Sequence, residues 1–357
     1  VKTWSVQLAE HQTQIYFGQG IGQQLGEYLP ELAAKKVLVL TDTNLAPIYL
    51  QQLTQQLAAL SVTVVPVIIS TGESSKELAT VLEVYQTLIA EKFSRQDYLL
   101  AFGGGVIGDL GGLVASTYMR GMKFIQIPTS IVAQSDSSLG GKTAIDYQHY
   151  KNLIGTFYPA SKILVDPDFL KTLPAREISC GLAEVIKSLL VSPEQPLDYQ
   201  LLQQSQFVTG ELPSQLSKLV QQALLVKTHF VQEDFYDFKE RRFLNFGHTI
   251  GHSVEALANG RLHHGEAVSI GMVTMMRALV QHQLLAPDVL NMLTQRLQQL
   301  SLPIELPDDL THEAITQQLA LDKKAVAGQI QLVLLKAPGQ TYLQTMAISD
   351  FAVWLGW

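Results

Sequence analysis

The chain has 357 residues, of which 47% are hydrophobic and 16% charged, with a net charge of −7. That length exceeds one ordinary core and points to two domains, while the charge excludes a general attraction to nucleic acid or anionic membrane. A single cysteine, Cys180, excludes intramolecular disulfides and cysteine-rich metal sites.

Residues 1–20 carry Lys2 and Glu10 and have no apolar signal core. No run approaches the roughly 20 apolar residues of a membrane span, so the sequence reads as a cytoplasmic enzyme. In chain order, Lys36–Asp42 predicts a buried parallel strand and residues 45–60 a Gln-rich amphipathic helix. A strand at 62–69 and a helix at 76–90 follow, then strands at 98–102 and 124–127. Strands alternating with helices predict an α/β, Rossmann-like parallel-sheet domain over residues 1–170. Beyond it the helical period dominates, at 175–190, 213–231, 249–258, 266–282 and 287–300. A hairpin is expected from 331–335 and 342–345 around Pro338-Gly339. Residues 171–357 are therefore read as a mainly α-helical domain.

Four motifs carry chemistry. Gly103-Gly-Gly-Val-Ile-Gly108 follows a strand and opens a helix. Its glycines admit a pyrophosphate to the backbone, and the helix N-terminus offers unpaired N–H groups. The motif follows a late strand, and the acidic candidate for a ribose, Asp42, lies upstream of it. Asp136-Ser-Ser-Leu-Gly-Gly-Lys142-Thr143 ends like a P-loop but lacks its first glycine; it reads as a loop whose Lys142 reaches an anion. Glu184 and Lys187 share a helix face at i, i+3. His248 and His252 share one at i, i+4, and His264 follows on a later stretch. Two helix histidines, a third from a loop and a carboxylate such as Glu184 make the donor set of a catalytic divalent metal. Lys142, Lys151, Lys187, Lys227, Arg241, Arg242, Lys323 and Lys324 add positive charge near these motifs, which in an acidic chain favours a small anionic substrate.

Taken together, the motifs resemble the 3-dehydroquinate synthase family. The most specific segments are 103–109, Tyr118-Met-Arg120-Gly121, 128–142, Lys151-Asn152-Leu-Ile-Gly155, Leu173-Pro-Ala-Arg-Glu177, 181–187, 241–252 and His264-Gly-Glu266. The resemblance implies Glu184, His248 and His264 as zinc ligands, with Co²⁺ a possible substitute. As NAD contacts it implies Asp42, Asn44, Thr71, Gly72, Glu73, Lys76, Gly104, Gly105, Val106, Ile107, Gly108, Asp109, Thr129, Ser130, Phe169, Leu170, Lys171 and Thr172, with Lys142 and Lys151 where cofactor and substrate meet. Asp136, Asn152, Lys187, Lys227, Arg241, Asn245 and His252 match the substrate-binding and catalytic set. Lys142, Asn152 and one of Lys323 and Lys324 would hold a phosphate, Lys187 and Arg241 a carboxylate and hydroxyls, and His252 a proton. Arg120 matches an arginine given across a homodimer interface.

The reaction so implied converts 3-deoxy-arabino-heptulosonate 7-phosphate to 3-dehydroquinate and phosphate. It proceeds by transient NAD-dependent oxidation, elimination, reduction, ring opening and aldol closure. Ser130, Asp146 and Tyr150 depart from the residues many relatives carry. The alternatives are a sister sugar-phosphate cyclase, a metal-dependent polyol dehydrogenase of the glycerol dehydrogenase type, and a non-catalytic NAD- or metal-binding module. The number of cations speaks against a neutral polyol.

Overall fold

The computed structural model describes residues 1–148, 150–193, 197–208, 212, 215–321 and 328–357. They form two units, Val1–Thr172 with Lys227–Tyr236, and Leu173–Val226 with Asp237–Trp357.

The first unit opens with β1 (Lys2–Leu8) and β2 (His11–Phe17), an antiparallel hairpin in register from Lys2↔Phe17 to Leu8↔His11. The sequence reading assigned no strand here. The alternation is present but short: Val6, Leu8, Ile15 and Phe17 face the core. Then come α1 (Leu25–Tyr28), β3 (Lys36–Asp42), α2 (Gln51–Ala58), β4 (Thr63–Ile69), α3 (Leu78–Ala90), β5 (Tyr98–Gly103), α4 (Gly105–Thr117) and β6 (Lys123–Pro128). The helix expected at 45–60 is α2 preceded by a π-helical turn, Ala46–Leu50, with Pro47 at its second position. Proline lacks the N–H that a regular helix would use deeper in the run. A second hairpin, β7 (Lys142–Tyr147) with β8 (Tyr150–Phe157), stands apart from the main sheet, and β9 (Lys162–Val165) completes that sheet.

The seven-stranded order is β1-β2-β9-β6-β5-β3-β4. All neighbours from β2 to β4 run parallel. β5 is buried at every position, as a central parallel strand covered on both faces must be. β4 is an edge, and Pro66 is exposed at its middle; a proline there denies an incoming strand one donor. The core on one face includes Val37, Val39, Leu100, Ile125 and Leu164. Tyr49, Phe102 and Phe169 meet edge to face with centroids 5.2–5.7 Å apart.

The second unit is built from α5 (Ala175–Val191), α6 (Leu197–Gln204), α7 (Leu216–Glu233, whose residues from Lys227 belong to the first unit), α8 (His248–Leu257), α9 (His264–Gln281), α10 (Pro287–Gln299) and α11 (His312–Leu321). The expected hairpin is there as β10 (Gln329–Ala337) with β11 (Gln340–Ala347), followed by α12 (Ile348–Trp354). α5 is buried without a break from Ile178 to Val191, so it is the central helix of the unit. Among the described residues no helix is long and apolar enough to cross a membrane.

Candidate functional site

In the first unit, parallel pairing carries the chain to one end of the sheet at the exits of β3, β4, β5, β6 and β9. Asp42 ends β3, residues 70–76 follow β4, 104–109 follow β5, Thr129 and Ser130 follow β6, and 169–172 follow β9. Every residue that the resemblance ties to NAD lies on one of these five exits or in the β7–β8 hairpin. The C-terminal ends of strands in an open α/β sheet are where such folds take ligands. Asp42 Oδ1 accepts the amides of Asn44 and Leu45 at 2.9 and 3.1 Å, which shapes the exit of β3. Asn44 Nδ2 donates to Thr71 Oγ1 at 3.2 Å and ties the exits of β3 and β4.

α4 begins at Gly105, directly after β5. Its first-turn amides lack partners within the helix and project from its N-terminus. The glycines also set how close α4 lies to the sheet. A Cβ at Gly108 would lie 2.7 Å from Gln126 Oε1, and one at Gly112 would lie 2.3 Å from Thr143 Cγ2. Ile107 is buried beneath Gly103, and Phe169 and Leu170 are buried in the core, so these three can offer a ligand only backbone. Lys171 pairs with Asp168 at the surface.

Lys76 is the charged centre of this unit. It is buried, and its Nζ donates to Asp109 Oδ2 at 2.6 Å and to Asn152 Oδ1 at 2.5 Å, with Glu73 at 3.9 Å. Burial works against its charge, but Asp109 and Glu73 outweigh that and hold the ammonium above its ordinary value. Asn152 has a left-handed backbone (φ 52°), and its amide donates to Asp146 Oδ1 at 2.7 Å. The structure corrects one local expectation. Residues 136–143 do not form one loop: Ala133–Ser137 is a π-helical turn, and Lys142 starts β7, where Thr143 and Ile145 pair with Thr156 and Ile154. The β-branched alternation after the glycines decides it. Lys142 and Lys151 are exposed. Lys227 pairs with Asp136. Arg120 is exposed and, like Met119 and Gly121 beside it, has positive φ.

In the second unit the metal-type residues do come together. α8 starts at His248 after Gly247, whose φ is 77°. Gly247, Gly251 and Gly271 let α8 and α9 touch backbone to backbone; a Cβ at Gly271 would lie 2.0 Å from Gly247 O. Ligand-type nitrogens of His248, His252 and His264 consequently lie within 4.8 Å of one another. Glu184, from α5, is buried; its Oε2 accepts Lys187 Nζ at 2.5 Å. Among the described residues its buried Oε1 has no hydrogen-bond partner; it faces His264 Nε2 at 3.5 Å and His248 Nε2 at 3.8 Å.

Tetrahedral ligands bound at about 2.0–2.2 Å sit about 3.3–3.6 Å apart. The 3.5 Å separation falls in that range and the 3.8 Å one just beyond it, so Glu184, His248 and His264 could hold a divalent ion. Desolvation opposes charge on His264, but Glu255 and Glu184 hold its imidazole above the ordinary value. Arg241 is buried and Asn245 partly so in the turn before α8. Lys323 and Lys324 lie outside the described residues.

Two pairings went unread in the sequence. Glu255 Oε2 lies 3.0 Å from His264 Nδ1. Arg176 grips Glu266 with two 2.7 Å bonds, while Glu266 accepts the His263 amide and caps α9 just before His264. Their spacing gave no signal, because the partners lie 9 and 90 residues apart in sequence.

Models of the 3-dehydroquinate synthase N-terminal and C-terminal regions match residues 66–180 and 181–325. The chain belongs to the 3-dehydroquinate synthase family. A 3-dehydroquinate synthase of Latilactobacillus sakei is 41% identical over 99% of this chain and 98% of its own. That of Lactiplantibacillus plantarum is 42% identical over 90% of this chain and 89% of its own. Among solved structures, 2-epi-5-epi-valiolone synthase from Streptomyces hygroscopicus, with NAD⁺ and Zn²⁺ bound, superposes at TM-score 0.84. It is 27% identical and covers 100% of this chain and 99% of its own. A glycerol dehydrogenase from Schizosaccharomyces pombe shares the fold at TM-score 0.63 and 17% identity, covering 97% of this chain and 88% of its own. The α/β-plus-helical architecture is thus common to the 3-dehydroquinate synthase family, its sister cyclases and these dehydrogenases.

Proposed function

We propose that this chain is a phosphate-eliminating carbon–oxygen lyase that converts 3-deoxy-arabino-heptulosonate 7-phosphate to 3-dehydroquinate and phosphate, in the cytoplasm and as a homodimer. The observation that carries the reading is the near full-length identity to curated 3-dehydroquinate synthases, joined to a chain that keeps every titratable group the reaction needs. NAD, regenerated in each turnover, and a divalent ion, Zn²⁺ or Co²⁺, are its cofactors. When bound, they supply a reversible hydride acceptor and a Lewis acid.

The chain's own residues do the rest. The exits of β3, β4, β5, β6 and β9 bind the dinucleotide, its pyrophosphate at the N-terminus of α4. Glu184, His248 and His264 hold the ion, and Lys187 fixes Glu184 so that Oε1 stays turned toward the two imidazoles. His252 carries a proton at a ring nitrogen beside them. Lys142, Asn152 and one of Lys323 and Lys324 take the phosphate end of the substrate, Lys151 lies where cofactor and substrate meet, and Lys187 and Arg241 take the carboxylate and hydroxyls, the cations by charge-assisted bonds. Asp136 and Lys227 orient one another. Domains of residues 1–170 and 171–357 would divide this labour, the first holding NAD and the second the metal.

The test supplies the heptulosonate phosphate with catalytic NAD⁺ and Zn²⁺ and follows phosphate and the carbocyclic product. Phosphate should far exceed any NADH. One NADH per phosphate would instead support a dehydrogenase, and a different cyclitol a sister cyclase.

A further inference from the structure

We propose that Glu255 is a positioning residue of the metal site, which sets His264 to bind through Nε2. The inference rests on the metal reading above and deepens it. An ionised carboxylate only accepts hydrogen bonds, so at 3.0 Å from Glu255 Oε2 the His264 Nδ1 must be the donor. A neutral His264 then has its lone pair at Nε2, the atom 3.5 Å from the orphaned Glu184 oxygen. Residue 255 is seven positions, two helical turns, after His248 on α8. One helix therefore supplies a ligand of its own and the carboxylate that orients the ligand on α9.

The two histidines are not held alike. His248 Nδ1 faces a carbonyl, Phe246 O, at 3.2 Å, so it too presents Nε2. His264 has a carboxylate behind it. A negative partner raises the basicity of the ligating nitrogen and restrains the ring, and loss of such a partner commonly costs about 10–100-fold in metal affinity. His264 also needs the restraint more, because its side chain is 39% exposed against 9% for His248.

The test uses the full chain, stripped with a chelator and titrated with Co²⁺ and with Zn²⁺ against a chromophoric competitor. Wild type is compared with Glu255→Gln and Glu255→Ala. Gln keeps an acceptor of the same length and loses the charge, whereas Ala loses both. Affinity should fall about 10-fold or more in Gln and further in Ala. The Co²⁺ absorption bands should shift in both, while the metal-free proteins melt as wild type does. Wild-type affinity and wild-type Co²⁺ bands in both variants would overturn the role of Glu255 and leave the metal site standing. A wild-type chain that binds neither ion would overturn the metal reading as well. Should the Ala variant fail to fold, the Gln variant alone decides.

Discussion

Replacing Gly265 by alanine tests how the metal ligands are brought together. A Cβ there would lie 2.3 Å from the carbonyl oxygen of Cys180 and 2.5 Å from its Cα, where ordinary contact begins at 3.4 Å. The obstacle is the backbone of α5, so α9 must retreat by about 1 Å, and overpacking of this kind costs about 1–3 kcal/mol. Helix propensity pulls the other way by at most about 1 kcal/mol. The clash wins, with a net loss of about 2 kcal/mol, or about 4–8 °C in Tm for a unit of this size.

Cys180 itself is the probe. It is the sole cysteine, is buried, and burial pushes its thiol up to about 12, so labelling at pH 8 requires the α5–α9 contact to open. A loss of 2 kcal/mol raises the opened fraction up to about 30-fold. Gly265→Ala should therefore label faster by that order and bind Co²⁺ more weakly, since residue 264 moves with 265. Gly26→Ala, in the first unit, meets only the tip of Leu60 at 3.2 Å and should leave Cys180 labelling unchanged. Wild-type labelling and melting in Gly265→Ala would refute the close-packing argument.

Asp166 is buried and accepts the amides of Gly20, Gly22 and Asp168 at 3.1, 2.8 and 3.0 Å. Asp166→Ala strands three donors and should cost about 3 kcal/mol in urea unfolding; a loss below 1 kcal/mol would count against it. Burial raises the Asp97 carboxyl, but hydrogen bonds from Ser94 and Lys36 outweigh it and hold it below the usual carboxylate range. Its stabilisation is complete above the unfolded value of about 3.9 and is lost as pH falls through the lower folded value. Asp97→Asn should flatten the acid limb of the stability–pH curve, and an unchanged limb would exclude the group. Sedimentation should find a dimer, and Arg120→Ala should lower turnover without changing metal affinity; a fully active monomer would reject a shared site.

β3, β5 and β6 were legible because they are nearly continuous apolar runs, a pattern that needs no partner to be recognised; β9, only four residues long, was not. The β1–β2 and β7–β8 hairpins were not. Neither turn is marked by a glycine, the first turning at Ala9 in the left-handed region (φ 52°), and β8 is exposed along most of its length. At the site, His248, His252 and His264 were visible because histidines are scarce and helical spacing puts two on one face. Glu184 was visible only through its motif. Glu255 looked like any solvated helix glutamate, and Lys76 like a helix-start lysine; their roles come from partners that only the folded chain supplies.

The register of β2 beside β9 has a consequence for how the protein is made. Thr13 Oγ1 bonds to Ala160 O, 147 residues later. At ribosomal rates of about 5–20 residues per second, the first hairpin waits about 7–30 s for its neighbour. In that interval the central strands can already pair, whereas β1 and β2 present a free edge to any other nascent chain. Moving the hairpin to follow β9, by circular permutation, should shorten this exposure and raise the soluble yield at high expression.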